Sequence, residues 1–266
     1  MDIQLQNKSA IVTGSSSGIG KAIALSLAAE GVKVVVHGRR EQQVQETAQL
    51  ITDAGGTAAI AIGDLTRDED VEQIGIAARE AFGSIDILIN NAGAFPPTPL
   101  TASSASEWNK LYDQNVGSIV RMIGQFAPPM IERGWGRIII ISSIAATSPF
   151  ATFGAYGATK AAGLNLAMTA AREFANTGVT VNALSPGDVL TPAGEERWRA
   201  VASERGWGSD WDEIERRAAS EISPTLVGRF GRPEEVGALV SFFCSPLAGY
   251  VTGSNVRMDG GFQSFI

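Results

Sequence analysis

Tyr156 and Lys160 stand four residues apart in a stretch of helical composition after Gly154-Ala155, and on a helix that spacing puts both on one face, the ammonium close to the phenol. Reducing a carbonyl requires a hydride at carbon and a proton at oxygen, so a protein that does it must supply an acid within hydrogen-bond reach and polarise the C=O. A free phenol titrates at about 10, too high for efficient proton exchange at neutral pH. At about 4 Å and an effective dielectric of about 20, one lysine contributes about 4 kcal/mol of attraction, enough to lower the phenol substantially before desolvation subtracts some of it. Ser143, thirteen positions before Tyr156 at the end of an apolar strand, is expected to donate a second hydrogen bond to the substrate oxygen and fix its place. Taken singly these residues have ordinary explanations: a serine capping a turn, a tyrosine and a lysine as surface amphipaths.

A second group of residues points to a dinucleotide. Thr13-Gly14-Ser15-Ser16-Ser17-Gly18-Ile19-Gly20 follows an apolar strand and leads into Lys21 to Ala28, a good helix former. Glycines admit a pyrophosphate close to the backbone, and a helix start offers unpaired N–H groups and partial positive charge. The spacing is Gly-x3-Gly-x-Gly rather than the common G-x-G-x-x-G. The second strand ends Val36-His37-Gly38-Arg39-Arg40, where such folds tell NAD from NADP by a carboxylate or an arginine. The carboxylate is missing, Gly38 leaves room where it would sit, and Arg39 offers a guanidinium fork worth about 1.5–3 kcal/mol to a phosphate. NADP is therefore expected rather than NAD, unless Arg39 and Arg40 are only a solvated turn.

The elements that must position these groups alternate along the chain. Strand-length apolar runs occur at Ala10–Val12, Val32–Val36, Ala58–Ile62, Ile85–Ile89, Ile138–Ile141 and Val179–Leu184, each followed by a segment of helical period. Strands apolar on both faces belong to a sheet covered by helices on each side, so the expectation is α/β: a doubly wound, Rossmann-type parallel sheet in one domain spanning residues 1–266. The rhythm breaks at Thr191 to Leu226, which carries three tryptophans, many charges and no strand; it reads as a small helical lid inserted after the sixth strand, over residues 191–226. Trp198, Trp207 and Trp211 either line a substrate cleft or pin two short helices to the body.

In these motifs the chain resembles the short-chain dehydrogenase/reductase family, in general build its beta-ketoacyl reductase-like members. Thr13 to Gly20 matches T-G-x-x-x-G-x-G, Asn90-Asn91-Ala92-Gly93 resembles N-N-A-G, Ser143, Tyr156 and Lys160 fit the serine and Y-x-x-x-K, and Pro186-Gly187 through Thr191 fits P-G-x-x-x-T. The resemblance implies that Gly14, Ser16, Ser17, Gly18, Ile19, Gly20, Asn91, Ala92, Gly93, Tyr156, Lys160, Pro186 and Gly187 contact the cofactor. It further implies that Asp64 and Leu65 border the adenine, that Asn90 shapes its pocket, and that Val189 and Thr191 hold the nicotinamide carboxamide. Asn115, in a helix expected from Glu107 to about Arg133, resembles the family's fourth catalytic member, which holds a water linking the lysine to solvent. The run Val251 to Gly261 resembles the family's last strand, where relatives commonly assemble into homotetramers; the tail Phe262-Gln263-Ser264-Phe265-Ile266 could equally fold back on its own core.

Composition narrows the alternatives. A formal charge of −7 argues against nucleic acid, a single cysteine and a single histidine argue against a disulfide or a metal site, and neither a signal-like start nor a membrane-length apolar run is present, which points to a cytoplasmic enzyme. The expected function is hydride transfer between NADP(H) and a small-molecule carbonyl or secondary alcohol, with Tyr156 as general acid/base. A NAD-dependent secondary-alcohol or sugar dehydrogenase is the enzyme alternative. A non-catalytic nucleotide-sensing scaffold is the other, and intact Ser143, Tyr156 and Lys160 count against it. Specificity is expected to reside in Ala94 to Thr101, the stretch after Ser143, and the lid.

Overall fold

The computed structural model describes residues 1–262, so the end of the tail, 263–266, lies outside the described residues. Seven strands form one all-parallel sheet in the order β3-β2-β1-β4-β5-β6-β7: β1 Ser9–Val12, β2 Lys33–Gly38, β3 Thr57–Ile62, β4 Ile87–Asn90, β5 Gly136–Ile141, β6 Val179–Pro186 and β7 Asn255–Met258. The expected doubly wound fold is what forms. Alternation along the central strands sorts the core into two layers. Ile11, Leu88, Ile138 and Ile140 face α3 (Asp68–Phe82), α5 (Ser118–Glu132) and α6 (Gly154–Glu173). Val12, Ile89, Ile139 and Ile141 face α1 (Gly18–Ala29), α2 (Glu41–Asp53) and α9 (Pro233–Cys244). This is why the central runs are apolar on every position. On the edge strand β3 that requirement lapses, and Ile60 and Ile62 remain more than a third exposed.

The order reverses between β1 and β4. There the crossovers diverge to opposite faces and leave a crevice at the carboxyl ends of the strands, the place where open α/β sheets bind ligands. The glycine loop after β1 and the Asn90–Gly93 segment after β4 both open into it.

Two further elements matter for the site. The helix expected from Glu107 to Arg133 is continuous from Ala105, but α4 (Ala105–Tyr112) and α5 are joined by a π-helical segment, Asp113–Gly117, with Asn115 at its centre. The 191–226 insertion holds α7 (Pro192–Arg205), α8 (Trp211–Arg217) and a second π turn, Ala218–Ile222. It has its own small core, in which Trp198, Trp207, Ile214 and Phe230 pack together. Glu215, buried, bonds both the Phe230 N–H and the Arg232 guanidinium and fastens α8 to the segment that opens α9.

Candidate active site

Tyr156 is the third residue of α6, and the start of that helix has no side chain of its own to cap it: the preceding Phe153 cannot accept a hydrogen bond. Thr98 supplies the cap from the loop after β4. Its hydroxyl accepts the Ala155 N–H at 3.1 Å, and its own N–H donates to Thr152 O at 2.8 Å. Lys160 lies one turn on, buried, with Nζ donating to the Ile141 carbonyl at the end of β5 at 2.8 Å and 5.6 Å from the centre of the Tyr156 ring. Ser142 ties the same strand end to the helix through the Lys160 carbonyl at 3.0 Å. Ser143 follows, accepting the Ala145 N–H on its hydroxyl oxygen at 3.1 Å, with its O–H available to the Tyr156 phenol.

The electrostatics differ from the expected cation-lowered phenol. Burial pushes the Tyr156 pKa up from its ordinary value, and the Ser143 hydroxyl opposes the shift without reversing it. Lys160 does not offset it, because burial acts on the ammonium as well and lowers it to about 8. In the isolated protein desolvation therefore outweighs the attraction between the two groups.

Asn115 sits behind this array rather than in the cleft wall. Its side chain clamps Ala94, accepting from the N–H and donating to the C=O, both at 2.8 Å, and it donates to Thr159 Oγ1 at 3.0 Å. Both amide hydrogens are thus used, so a water joining lysine to solvent would have to donate to Asn115, at Oδ1 or at the main-chain carbonyl. The packing is close: a Cβ on Gly93 would lie 3.1 Å from Asn115 Oδ1 and 3.7 Å from Lys160 Nζ.

One cleft of about 1070 Å³ is lined by Ser143, Tyr156 and Lys160 and also by Gly14, Ser16, Ser17, Gly18, Ile19 and Gly20 of the glycine loop. Gly14 adopts φ +65°, and a Cβ there would come within 3.0 Å of Ala92 Cα. The start of α1 has no side-chain cap and no acidic residue in its first turn, so its N–H groups and dipole are free for an anion. Thr13 knits the loop to the next strand, its hydroxyl donating to Ile89 O and accepting from the Asn91 and Ala92 N–H groups.

Arg39, Asp64, Leu65, Asn91, Ala92, Gly93, Gly187, Val189 and Thr191 line the cleft as expected. Two residues do not. Pro186 lies within the sheet, paired with Met258 on β7, and Asn90 is buried at the end of β4. Gly38 also differs from expectation: the space beside it is filled, since a Cβ would meet Val44 Cγ2 at 2.9 Å and Ser16 Oγ at 3.1 Å. A side chain at that position would require Val44 or Ser16 to shift. Arg39, 70% exposed, reaches Asp64 at 3.7 Å, whose carboxyl pKa is lowered chiefly by the Thr66 N–H.

Several lining residues escaped the sequence. His37 accepts the Gly14 N–H on Nδ1 at 3.2 Å, and burial pushes its pKa down to about 4. Asp188 and Arg197 pair at 2.8 Å beside the phenol, and the Phe95 ring stands edge-on to Tyr156 at 6.2 Å. Of the three tryptophans, Trp198 lines the cleft while stacking on Phe230, whereas Trp207 and Trp211 serve the insertion alone. Thr191 doubles as the cap of α7, accepting the Gly194 N–H.

A family model described as short chain dehydrogenase matches residues 8–202, spanning the glycine loop, Ser143, Tyr156 and Lys160. The chain belongs to the short-chain dehydrogenase family. An uncharacterized oxidoreductase, YvaG, of Bacillus subtilis is 37% identical over 98% of both chains. Among solved structures, L-sorbose reductase from Gluconobacter frateurii, complexed with NADPH and L-sorbose, superposes with a TM-score of 0.93 over the whole of both chains at 32% identity. A 3-oxoacyl (acyl-carrier-protein) reductase from Agrobacterium tumefaciens with NADP bound gives 0.86 at 37% identity, covering 97% of this chain and 95% of that one. The short-chain dehydrogenase assignment makes the chain an oxidoreductase that transfers hydride with a nicotinamide cofactor, and the free α1 N-terminus beside Gly14 is what its pyrophosphate requires.

Proposed function

We propose that this short-chain dehydrogenase is an NADPH-dependent carbonyl reductase in which Tyr156 donates the proton. One observation carries this reading: Tyr156, Ser143 and Lys160 open into the same cleft as the glycine loop. The reduced nicotinamide, when bound, supplies the hydride. The glycine loop and the α1 N-terminus would hold its pyrophosphate, Arg39 its additional phosphate, and Val189 and Thr191 its carboxamide. Ser143 orients the substrate oxygen through its O–H, Tyr156 Oη gives that oxygen a proton, and the Lys160 ammonium stabilises the phenolate that remains. The phenol is protonated at neutral pH, the form a reduction needs, while burial makes it a weaker acid in the isolated protein than the free side chain. The packed neighbourhood of Gly38 and the guanidinium beside it favour NADP over NAD.

Self-association fits the same reading, since Phe242, Leu247 and the fully exposed Tyr250 leave apolar surface between α9 and β7. No helix among the described residues is long and apolar enough to cross a membrane. The direct test is the reduced-nicotinamide absorbance followed with either cofactor over a panel of ketones. NADPH is expected to exceed NADH in kcat/KM by about tenfold or more; equal use of NADH overturns the cofactor assignment, and no consumption with any ketone overturns the reductase.

A further inference from the structure

We infer that the substrate is a neutral, bulky ring ketone carrying a second oxygen function, and that Ser223 recognises that oxygen. The inference rests on the reductase reading and adds what the rest of the cleft selects.

Beyond the proton donor and the dinucleotide groups, the cleft is walled by Phe95, Phe150, Phe153, Trp198 and Ile222. Phe95 is 57% exposed although it stands beside the phenol, so one face of its ring awaits an apolar partner. Phe150 is backed by Phe262 at 5.9 Å and Trp198 by Phe230 at 5.2 Å, which makes these walls supported surfaces rather than mobile side chains. Such a lining gains by covering flat apolar rings. An open-chain polyol would surrender water at every hydroxyl and recover few hydrogen bonds among aromatic faces.

Charge is cancelled where a charged substrate would need it. Arg197 is held by Asp188 at 2.8 Å and lies over the Trp198 ring at 4.8 Å, so a substrate carboxylate would have to displace a carboxylate already in place. Ser223 is a polar member of this lining, as are Gln114, Asp188 and Arg197. It follows the π turn Ala218–Ile222, its backbone N–H is fixed by Ala218 O at 2.8 Å, it is 2% exposed, and its hydroxyl has no hydrogen-bond partner among the described residues. Buried hydroxyls are ordinarily satisfied. A ligand oxygen reaching the cleft wall at Ser223 supplies the missing partner, and a site built to bond an oxygen discriminates against the analogue that lacks it.

The test measures kcat/KM with NADPH for α-tetralone, its monohydroxylated isomers, fructose and phenylglyoxylate, in the wild-type protein and in Ser223→Ala. At least one hydroxytetralone is expected to exceed α-tetralone by about tenfold, with fructose and phenylglyoxylate about a hundredfold or more below. Ser223→Ala is expected to erase the hydroxytetralone advantage while leaving α-tetralone turnover and NADPH affinity within about twofold. Fructose or phenylglyoxylate matching the tetralones, or a Ser223→Ala effect that is absent or equal for all ketones, overturns this inference and leaves the reductase standing. Failure of every ketone overturns both.

Discussion

Thr98 Oγ1 accepts the Ala155 N–H at 3.1 Å from 57 positions earlier in the chain, and so the loop bordering the substrate cleft caps the helix that carries Tyr156 one residue further on. Replacing Thr98 by valine keeps shape and removes the acceptor. The expected result is a stability loss of about 1 kcal/mol and a fall in kcat of about tenfold, with NADPH affinity unchanged; Thr98→Ser is expected to restore both. Denaturant titration and steady-state kinetics read the two effects, and an unchanged kcat in Thr98→Val would remove the cap from the positioning of Tyr156.

Tyr156→Phe removes the proton donor and leaves the ring against Phe95. NADPH is expected to bind as before while turnover falls by about 10²–10⁴. Because the Lys160 ammonium gives up its proton at about 8 in the isolated protein, kcat/KM for NADPH in the wild type is expected to decline as pH rises through that value. A flat profile to pH 10 would show that the charge on Lys160 is not needed.

Arg39→Ala tests the additional phosphate. The guanidinium is largely exposed and only loosely engaged by Asp64 at 3.7 Å, so it is available to a ligand. NADPH dissociation constants are expected to rise about ten- to a hundredfold and those for NADH to stay within about twofold. Equal loss for both cofactors would contradict the assigned role.

His37 ties acid stability to the glycine loop. Buried and neutral, it resists protonation down to about 4, whereas the unfolded chain takes up that proton near its ordinary value of 6.5. The unfolded state thus binds more protons between those values, so the stability is complete above pH 6.5 and is lost as pH falls through 4, by about 3 kcal/mol. Urea unfolding at pH 7 and pH 4 should show that loss in the wild type and a correspondingly smaller one in His37→Asn. Identical slopes would exclude the imidazole.

The central sheet was legible in the sequence because burial on both faces forces continuous apolar runs, rich in β-branched residues at Ile138–Ile141 and Val34–Val36. The glycine loop and the Tyr156–Lys160 spacing were legible for a similar reason: each depends on neighbours in the chain. What stayed hidden depends on distance. Thr98 meets Ala155, Asp188 meets Arg197 and Ser16 fills the space beside Gly38 only after the fold has closed. The balance between attraction and desolvation at Tyr156 was misjudged because spacing reports the nearby ammonium but not the loss of water around both groups. Pro186 and Asn90 belong to cofactor-loop motifs by sequence, yet each sits at a strand end where the sheet claims it.

The π-helical segment Asp113–Gly117 bears on which changes of length the gene can tolerate. An ordinary helix turns about 100° per residue, and a π turn absorbs one extra residue between flanks that remain helical; Leu111 before it and Met122 after it are both buried. Loss of a single codon within this turn would leave an ordinary helix whose flanks keep their faces, and would remove the turn that aims the Asn115 carboxamide at Ala94. A one-residue deletion here would spare the interior packing of Leu111 and Met122 and be felt at the Asn115 clamp.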